Sequence, residues 1–335
     1  MTQTEPLRVE QTLNLRVGEL VEVRSAAEIE ATLDERGELD SLPFMPEMVA
    51  FCGRRMTVRK VAHKVCDMIG PGGLTRMERA VHLTGAQCDG SLHGGCQMEC
   101  SLYWKEAWLK RVDADEPAPE HSDRRVLLPL LVKNSRKEPG PNGEERFSCQ
   151  ATEMRRAAPT PVPVKDRSQY IQDVRSGNAG ILLTLRGVFF GLFNHYQHLS
   201  KRWLPRWLLI RGGMHWGWVE GRLTGRTPTG YLNLQPGELV RIRSKEEIMR
   251  TLDSGRLNRG MGFEEEMARY CGRTARVRAR VERCMDEKTG ELLHMKSPCI
   301  VLDDVVCEGV YKRNCPRQYV AFWREIWLER VAGGE

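Results

Sequence analysis

An internal repeat of 100 residues limits what this chain can fold into more than any other feature. Residues 13–112 and 232–331 match each other at a constant offset of 219 positions. The shared motifs are Leu-Asn-Leu at 13–15 and 232–234, Gly-Glu-Leu-Val at 18–21 and 237–240, and Trp-x-Glu-x-Trp-Leu-x-Arg-Val at 104–112 and 323–331. Since related sequences adopt related structures, the repeat predicts two domains of one kind.

The repeat also predicts how the chain is divided. A length of 335 residues is typical of two or three domains. We expect two repeat domains, at 13–112 and 232–331, joined by a central linker and helical packing segment at 113–231. An N-terminal tail at 1–12 and a C-terminal tail at 332–335 complete the chain.

Local patterns within each repeat favour an α+β fold. Residues 19–24 and 238–243 alternate apolar and charged side chains, as half-buried strands do. Ser25 with Glu28, and Ser244 with Glu247, then form the Ser-x-x-Glu pattern of a helix N-terminus. Further valine-rich segments predict more strands, and a five-stranded barrel of the SH3-like kind is one arrangement that fits. The segment around each tryptophan pair is compatible with helix or strand.

The central segment contains the most apolar run of the chain, residues 179–193, with Arg186 near its middle. A run of 15 residues is shorter than the roughly 20 that span a bilayer as a helix. Two interpretations stay open: a buried helix that packs the repeats together, and an in-plane membrane contact through residues 179–218, where tryptophans alternate with basic side chains.

The chain contains 11 cysteines, and their chemistry depends on the compartment. Residues 1–10 do not have the basic and apolar regions of a secretory signal, so we expect a cytoplasmic protein. Thiols stay reduced in the cytoplasm, and repeated cysteines there are typical of metal or redox sites rather than disulfides.

Four cysteines recur in both repeats, three of them at the constant offset and the fourth one residue away from it. Four thiolates suit either tetrahedral zinc or an iron–sulfur cluster. We expect one metal centre per repeat, with an iron–sulfur cluster favoured and zinc as the alternative. The predicted ligands are Cys52, Cys66, Cys88 and Cys96 in the first repeat and Cys271, Cys284, Cys307 and Cys315 in the second. Buried cysteines that only fill a core are the competing explanation.

The two repeats differ in the loop that follows Cys88 and Cys307. The first repeat has His93 and Cys100 in a glycine-rich loop, whereas the second has Lys312 and Tyr319 at the same offset. If one repeat is reactive, His93 and Cys100 are the candidate catalytic groups, as an acid/base or an open-site ligand. An exposed loop histidine with a spare thiol is the alternative.

Charge and motifs exclude several function classes. The net charge is +6, and the basic strands that follow Cys52 and Cys271 have no interleaved aromatic side chains, so a nucleic-acid partner is not expected. Nucleotide-binding, hydrolase and EF-hand motifs are absent from the sequence. The leading hypothesis is a metalloprotein for electron transfer or cluster-assisted chemistry in a biosynthetic pathway, with a redox or biosynthetic partner. The alternative is a zinc-stapled interaction module that binds an anionic or membrane partner.

Overall fold

A computed structural model describes residues 12–70, 73–112 and 128–331. The predicted C-terminal tail and all of the N-terminal tail except Thr12 lie outside these ranges. Helices and antiparallel sheets are combined in the described chain, which confirms the α+β class.

Each repeat contains a short α-helix, several strands and two 3-10 helices. In the first repeat the elements are β1 (Leu20–Val23), α1 (Ala26–Glu30), β2 (Glu38–Leu39), β3 (Leu42–Pro43), a 3-10 helix (Pro46–Phe51), β4 (Arg55–Val61), β5 (Lys64–Cys66), β6 (Leu74–Arg76), β7 (Ala80–Leu83), β8 (Trp104–Lys105), a second 3-10 helix (Glu106–Trp108) and β9 (Leu109–Arg111).

Four α-helices and two 3-10 helices occupy the described central segment: α2 (Leu128–Asn134), α3 (Met154–Ala157), α4 (Ser168–Arg175), α5 (Ile181–Trp203) and the 3-10 helices Arg206–Leu208 and Ile210–Gly213. The second repeat then contains β10 (Leu239–Ile242), α6 (Lys245–Met249), β11 (Leu257–Asn258), β12 (Met261–Gly262), a 3-10 helix (Met267–Tyr270), β13 (Thr274–Met285), β14 (Leu292–Val306), β15 (Val320–Trp323), a 3-10 helix (Glu325–Trp327) and β16 (Leu328–Arg330).

The main sheets of the two repeats have the same strand order. The first is β8-β7-β4-β1-β9 and the second is β15-β14-β13-β10-β16. Their registers also agree at the constant offset, since Val21 pairs with Arg111 and Val240 pairs with Arg330. Both predicted capping boxes are confirmed, with Ser25 bonded to Glu28 and Ser244 bonded to Glu247.

Each sheet curls strongly because its two outer strands are close in sequence. Four strand spacings separate β8 from β9, which is about 19 Å in a flat sheet. Only the 3-10 helix Glu106–Trp108 connects them, and four steps at about 2 Å per residue cover roughly 8 Å. The ambiguous tryptophan segment is therefore both strand and helix. Among the described residues no ladder joins the outer strands, so closure of a barrel is not observed.

A buried glutamate explains why two distant motifs recur together. The Glu106 carboxylate accepts hydrogen bonds from the backbone N–H groups of residues 13–15, at 2.8, 3.3 and 3.3 Å. Glu325 accepts the same three bonds from residues 232–234, at 2.8, 3.3 and 2.9 Å. The Leu-Asn-Leu and Trp-x-Glu-x-Trp motifs are thus two sides of one contact.

The tryptophans of this motif form the centre of each core. Trp108 lies edge-on to Phe44, with ring centroids 5.1 Å apart, and its indole N–H donates to Thr32 Oγ1 at 3.1 Å. Trp327 has the equivalent contacts, with Phe263 at 5.3 Å and Thr251 Oγ1 at 2.9 Å. Because the aromatic ring is buried and its polar N–H is satisfied, each tryptophan fixes the packing of its repeat.

A hairpin from each repeat reaches the other repeat. Arm 1 is the hairpin of β5 and β6, and arm 2 is the distal part of β13 and β14, residues 283–294. Arm 2 lies along the first repeat, where Gln97 N donates to Arg283 O at 3.0 Å. Arm 1 lies against the second repeat, where Cys66 N donates to Cys315 Sγ at 3.2 Å. The repeats therefore exchange arms.

Helix α5 includes residues 181–193 of the apolar run 179–193, but most large apolar side chains of this helix are not buried. Its buried positions include Thr184, Gly187, Gly191 and Ser200, while large apolar residues such as Leu182 are exposed. The expectation of a buried packing helix is wrong for most of the apolar run, because the small residues and Phe190 face the protein while most of the other large apolar side chains are exposed. No helix among the described residues has the length and apolar character needed to cross a membrane.

An ion-pair network joins the central segment to the first repeat. Glu153 is buried and pairs with Lys137 at 2.6 Å and with Arg156 at 2.9 Å, while Arg156 also pairs with Glu38 at 2.7 Å. Burial alone would raise the pKa of Glu153, but Lys137, Arg156 and Ser148 outweigh it and lower the pKa from 4.5 to about 2.

This lowered pKa predicts a pH-dependent contribution to stability. The stabilisation by Glu153 is complete above pH 4.5 and is lost as the pH falls from 4.5 towards 2. We expect Glu153→Gln to reduce the free energy of unfolding by about 1–2 kcal/mol at pH 7, after allowance for solvent screening at its half-exposed partners. Urea unfolding at a series of pH values measures it. Glu35→Gln at an exposed position is the control, and a loss that is the same at pH 7 and pH 2 would contradict the assignment.

Candidate metal centre

The first candidate site is built on the loop 88–100, named cysteine loop 1. The loop closes on itself through bonds from Cys88 N to Cys100 O and from Gly95 N to Gly90 O, both 2.9 Å. Gly90 has φ +66°, and a Cβ there would lie 2.0 Å from Cys96 O. Only glycine allows this close approach, which brings Cys96 back beside the start of the loop.

His93 lies between a thiol and a carboxylate. Its Nε2 is 4.0 Å from Cys88 Sγ, and its Nδ1 is 2.7 Å from Glu47 Oε1. The same glutamate oxygen accepts the Leu92 backbone N–H at 2.9 Å, so Glu47 fixes both the loop and the imidazole. His93 and Glu47 are both buried. His93, Cys88 and Glu47 form one group whose potential ligand atoms all lie within 4.8 Å of one another.

The pKa shifts in this group follow from burial and hydrogen bonding. Burial alone would lower the pKa of His93, but hydrogen bonds with Cys88, Cys96 and Glu47 outweigh it and raise the pKa. Burial raises the pKa of the Cys88 thiol, and the bond to His93 opposes this only in part. The imidazole therefore interacts with the thiols of both Cys88 and Cys96.

These side chains line a small cavity of about 30 Å³. Besides Cys88, His93 and Cys96, two more thiols line it, those of Cys100 and Cys149. Burial raises the pKa of Cys149, and His93 is the largest charge that opposes this rise. Cys149 has no counterpart in the second repeat, and it lies in the central segment, so the repeat pattern did not reveal it. The predicted candidates His93 and Cys100 both reach the cavity.

One pair of potential ligand atoms has a separation near that found around a zinc ion. In tetrahedral zinc sites the Zn–S and Zn–N distances of about 2.3 and 2.0 Å place neighbouring ligand atoms roughly 3.5 Å apart. The observed 4.0 Å between Cys88 Sγ and His93 Nε2 is close to this separation. Metal-bound histidines commonly donate their other ring N–H to a carboxylate, which is the relation between His93 and Glu47.

A second group of thiols forms where arm 1 meets the loop 307–319, named cysteine loop 2. The Cys315 sulfur accepts the Cys66 backbone N–H at 3.2 Å. A hydrogen bond from the Cys66 thiol, together with backbone N–H donors, lowers the pKa of Cys315. The same thiol–thiol bond and burial raise the pKa of Cys66. Cys307 is also buried. Burial raises the pKa of its thiol, and the nearby Glu266 carboxylate and Cys66 thiol raise it further. This group contains cysteines from both repeats.

The two cysteine loops share their scaffold but not their chemistry. Glu266 accepts the Tyr311 N–H at 2.6 Å, just as Glu47 accepts that of Leu92. Lys312 stands at the offset position of His93, and Glu266 pairs with Arg269 rather than with an imidazole. An ammonium group cannot bind a metal ion while it is protonated, so only cysteine loop 1 has a nitrogen ligand.

The other predicted ligands lie elsewhere. Cys52 and Cys271 follow the 3-10 helices Pro46–Phe51 and Met267–Tyr270, where Cys52 is part of the first core and Cys271 packs on the second. Cys284 packs in a cluster with Val281 and Cys299. Ligation by the two predicted sets of four cysteines stays a prediction. The structure brings Cys88 and Cys96 to one cavity and places Cys66 against the other repeat.

Met285, rather than Cys284, is the counterpart of Cys66 at the constant offset of 219. Arm 1 pairs Lys64 with Arg76 and ends with Cys66 opposite Leu74. Arm 2 starts with Arg283 opposite His294 and ends with Met285 opposite Leu292, after a register shift that follows Val281. Successive strand residues point to opposite faces, so Met285 takes the side that Cys66 takes in arm 1. Met285 accordingly lines the cavity at cysteine loop 1.

Most basic side chains on the strands that follow Cys52 and Cys271 have partners inside the protein. Lys60 donates to Asn178 O at 2.5 Å, Lys64 to the buried Asp173 at 2.6 Å, and Arg59 to Ser101 Oγ at 2.9 Å. In the second repeat Arg280 pairs with Glu325 at 2.8 Å and Arg278 pairs with Glu99. These contacts stabilise the fold and leave little free charge for an anionic ligand on the strands.

Comparisons with known proteins do not extend this description. No protein-family model, no curated protein and no solved structure matches the chain. Function must therefore be inferred from the site itself.

The tight turn of cysteine loop 1 gives a direct test of the site's scaffold. Gly85 has a positive φ of 75° but open space around it, whereas a Cβ at Gly90 meets the Cys96 carbonyl. We expect Gly85→Ala to cost about 1–2 kcal/mol of stability from backbone strain alone. Gly90→Ala should cost more than about 4 kcal/mol, since the loop must also open. Urea unfolding followed by tryptophan fluorescence compares the two, and equal losses would show that the close approach does not matter.

Proposed function

We propose that the protein is a zinc-stapled, non-catalytic interaction protein, with one zinc ion held by Cys88, His93, Cys96 and Cys149. The observation that carries this proposal is the position of His93, whose Nδ1 is bonded to the buried Glu47 while Nε2 faces the Cys88 sulfur. This arrangement aims the His93 Nε2 nitrogen, which would give up its proton to bind a metal ion, at a cavity that four thiols line.

Zinc fits this cavity better than an iron–sulfur cluster does. A cavity of about 30 Å³ has room for an ion but not for a cluster of several iron and sulfur atoms. Imidazole together with thiolate is a common ligand combination for structural zinc. For the iron–sulfur hypothesis, with electron transfer or cluster-assisted chemistry, the group of Cys66, Cys307 and Cys315 is the more suitable place, since its candidate ligands are all sulfur atoms.

Cys149 is the proposed fourth ligand because of its electrostatic environment. His93 is the main charge that acts on Cys149, whereas Arg317 is the main charge that acts on Cys100. We therefore place Cys149, rather than Cys100, beside His93 in the proposed ligand set. Four protein ligands would leave no open coordination position, which is typical of structural rather than catalytic zinc. The ion would then join the central segment to cysteine loop 1.

We further propose that each repeat is one copy of an SH3-like domain, which supports the predicted domain division. The shared strand order, the strongly curled sheets and the short 3-10 helix between the last two strands support this proposal. Small domains of this kind are scaffolds for binding surfaces rather than for one chemistry. The exposed apolar residues of helix α5 indicate a surface for a partner.

Metal analysis of the full chain tests the proposed ligands. We expect zinc in the purified protein and its loss in Cys149→Ser, because a three-ligand site binds far more weakly. Cys100→Ser changes another thiol of the same cavity and should keep the zinc. Cys299→Ser is a second control, since Cys299 is buried in a separate cluster. Iron with acid-labile sulfide in place of zinc, or zinc retained by Cys149→Ser, would overturn the proposal.

Glu47 tests the orienting role of the carboxylate. We expect Glu47→Gln to weaken zinc binding by about 10–100-fold, as removal of such partners commonly does. Competition with a chromophoric chelator measures the affinity. Glu266→Gln changes the equivalent loop-holding glutamate of the second repeat, which has no histidine, and should leave zinc affinity unchanged. An equal loss in both variants would indicate a purely structural effect of the glutamates.

A further inference from the structure

Helix α5 has a continuous apolar stripe on its exposed face. Residues three and four positions apart lie on the same side of a helix, and large apolar side chains recur at this spacing along all 23 residues of α5. Their exposed fractions range from 42% to 84%. The stripe consists of Leu182, Leu185, Phe189, Leu192, Tyr196, Leu199 and Trp203.

The opposite face of α5 fixes the orientation of this stripe. A Cβ at Gly187 would lie 2.9 Å from Asn314, and one at Gly191 would lie 3.1 Å from Arg313, so the helix rests directly on cysteine loop 2. Phe190 also contacts Tyr311, with ring centroids 5.3 Å apart. The face of α5 that contains Gly187 and Gly191 packs on cysteine loop 2. The helix therefore cannot turn its apolar stripe towards the protein without losing these contacts.

The apolar surface continues beyond the helix. Trp207 and Ile210 are 81% and 50% exposed. The chain then folds back along α5, where Gln197 donates to the carbonyls of Ile210 and Met214 at 2.7 and 3.0 Å. The α5 surface is defined here as the stripe together with Trp207 and Ile210. A contiguous exposed apolar surface of this kind marks an interaction site.

The charge around the α5 surface indicates its partner. Residues 174–219 contain no Asp or Glu and six Lys or Arg. The rest of the chain has 45 basic and 45 acidic residues, so this segment accounts for the entire net charge of +6. The six basic residues are Arg175, Arg186, Lys201, Arg202, Arg206 and Arg211.

We propose that the α5 surface binds in the plane of an anionic lipid bilayer. An apolar stripe with leucine, phenylalanine and tryptophan, and with basic residues close by, is the composition of helices that lie at the headgroup boundary. The exposed Trp203 beside Lys201 and Arg202 matches the interfacial preference of tryptophan. The proposal goes beyond the zinc site and does not depend on it.

A second copy of the chain is a less suitable partner for the same surface. Two α5 surfaces placed face to face would bring two segments of charge +6 together without any acidic side chain from 174–219 to balance them. Like charges across a contact oppose association, whereas anionic headgroups attract each of them. A membrane-spanning arrangement is also unsuitable, since Arg186 lies within the helix.

Vesicle co-sedimentation of the full-length protein tests this proposal. We expect binding to phosphatidylcholine vesicles that contain phosphatidylglycerol, and weaker binding as salt is increased. Lys201→Glu with Arg202→Glu should weaken this binding about tenfold or more. Leu185→Glu with Phe189→Glu should reduce it to a similar or larger extent, because charged groups replace apolar ones at the interface.

Matched measurements keep the outcome clear. Ile171→Glu is the control, since Ile171 is 50% exposed but lies on α4, and its vesicle binding should be unchanged. Zinc content and circular dichroism should be the same in all variants, which separates this test from that of the metal site. Absence of vesicle binding would overturn the proposal. Self-association in sedimentation equilibrium that Phe189→Glu abolishes, without vesicle binding, would show that a second copy covers the surface.

Discussion

The exchange of arms between the repeats is the contact on which the rest of the structure depends. Arm 2 adds Met285 and Leu292 to the core of the first repeat, and arm 1 places Cys66 beside Cys315 of the second. Each arm carries apolar residues that its own repeat does not cover. Neither repeat can therefore bury all of its apolar surface alone, and both cysteine loops are shaped partly by residues of the other half.

Much of the fold within a repeat could be predicted because the signals are local. Alternating strands and Ser-x-x-Glu helix starts depend on neighbours a few residues away, and β1, α1, β10 and α6 lie where the pattern placed them. Glu106 and Glu325 accept hydrogen bonds from backbone N–H groups more than 90 positions away, and these contacts could not be predicted from the sequence. The recurrence of both motifs was visible, but only three-dimensional structure shows that one motif accepts the hydrogen bonds of the other.

The candidate site was predictable in part, for a related reason. The recurring cysteines indicated Cys88 and Cys96, and the difference between the repeats indicated His93. Glu47 and Cys149 were missed. Glu47 recurs as Glu266, but a shared carboxylate does not indicate which residue it contacts, and Cys149 has no counterpart in the second repeat. Cys284 lies one residue before Met285, the counterpart of Cys66, and a one-residue change along a strand moves a side chain to the opposite face.

The arm exchange also has a consequence for how the protein is made. Glu47 and His93 are 46 residues apart, so cysteine loop 1 can close soon after it is synthesised. Cys66 and Cys315 are 249 residues apart. During N-to-C synthesis the end of arm 1 must wait until nearly the whole chain has been translated, and contacts of such separation form slowly. Nascent chains therefore pass through a stage at which cysteine loop 1 has been synthesised but Cys66 is still uncovered.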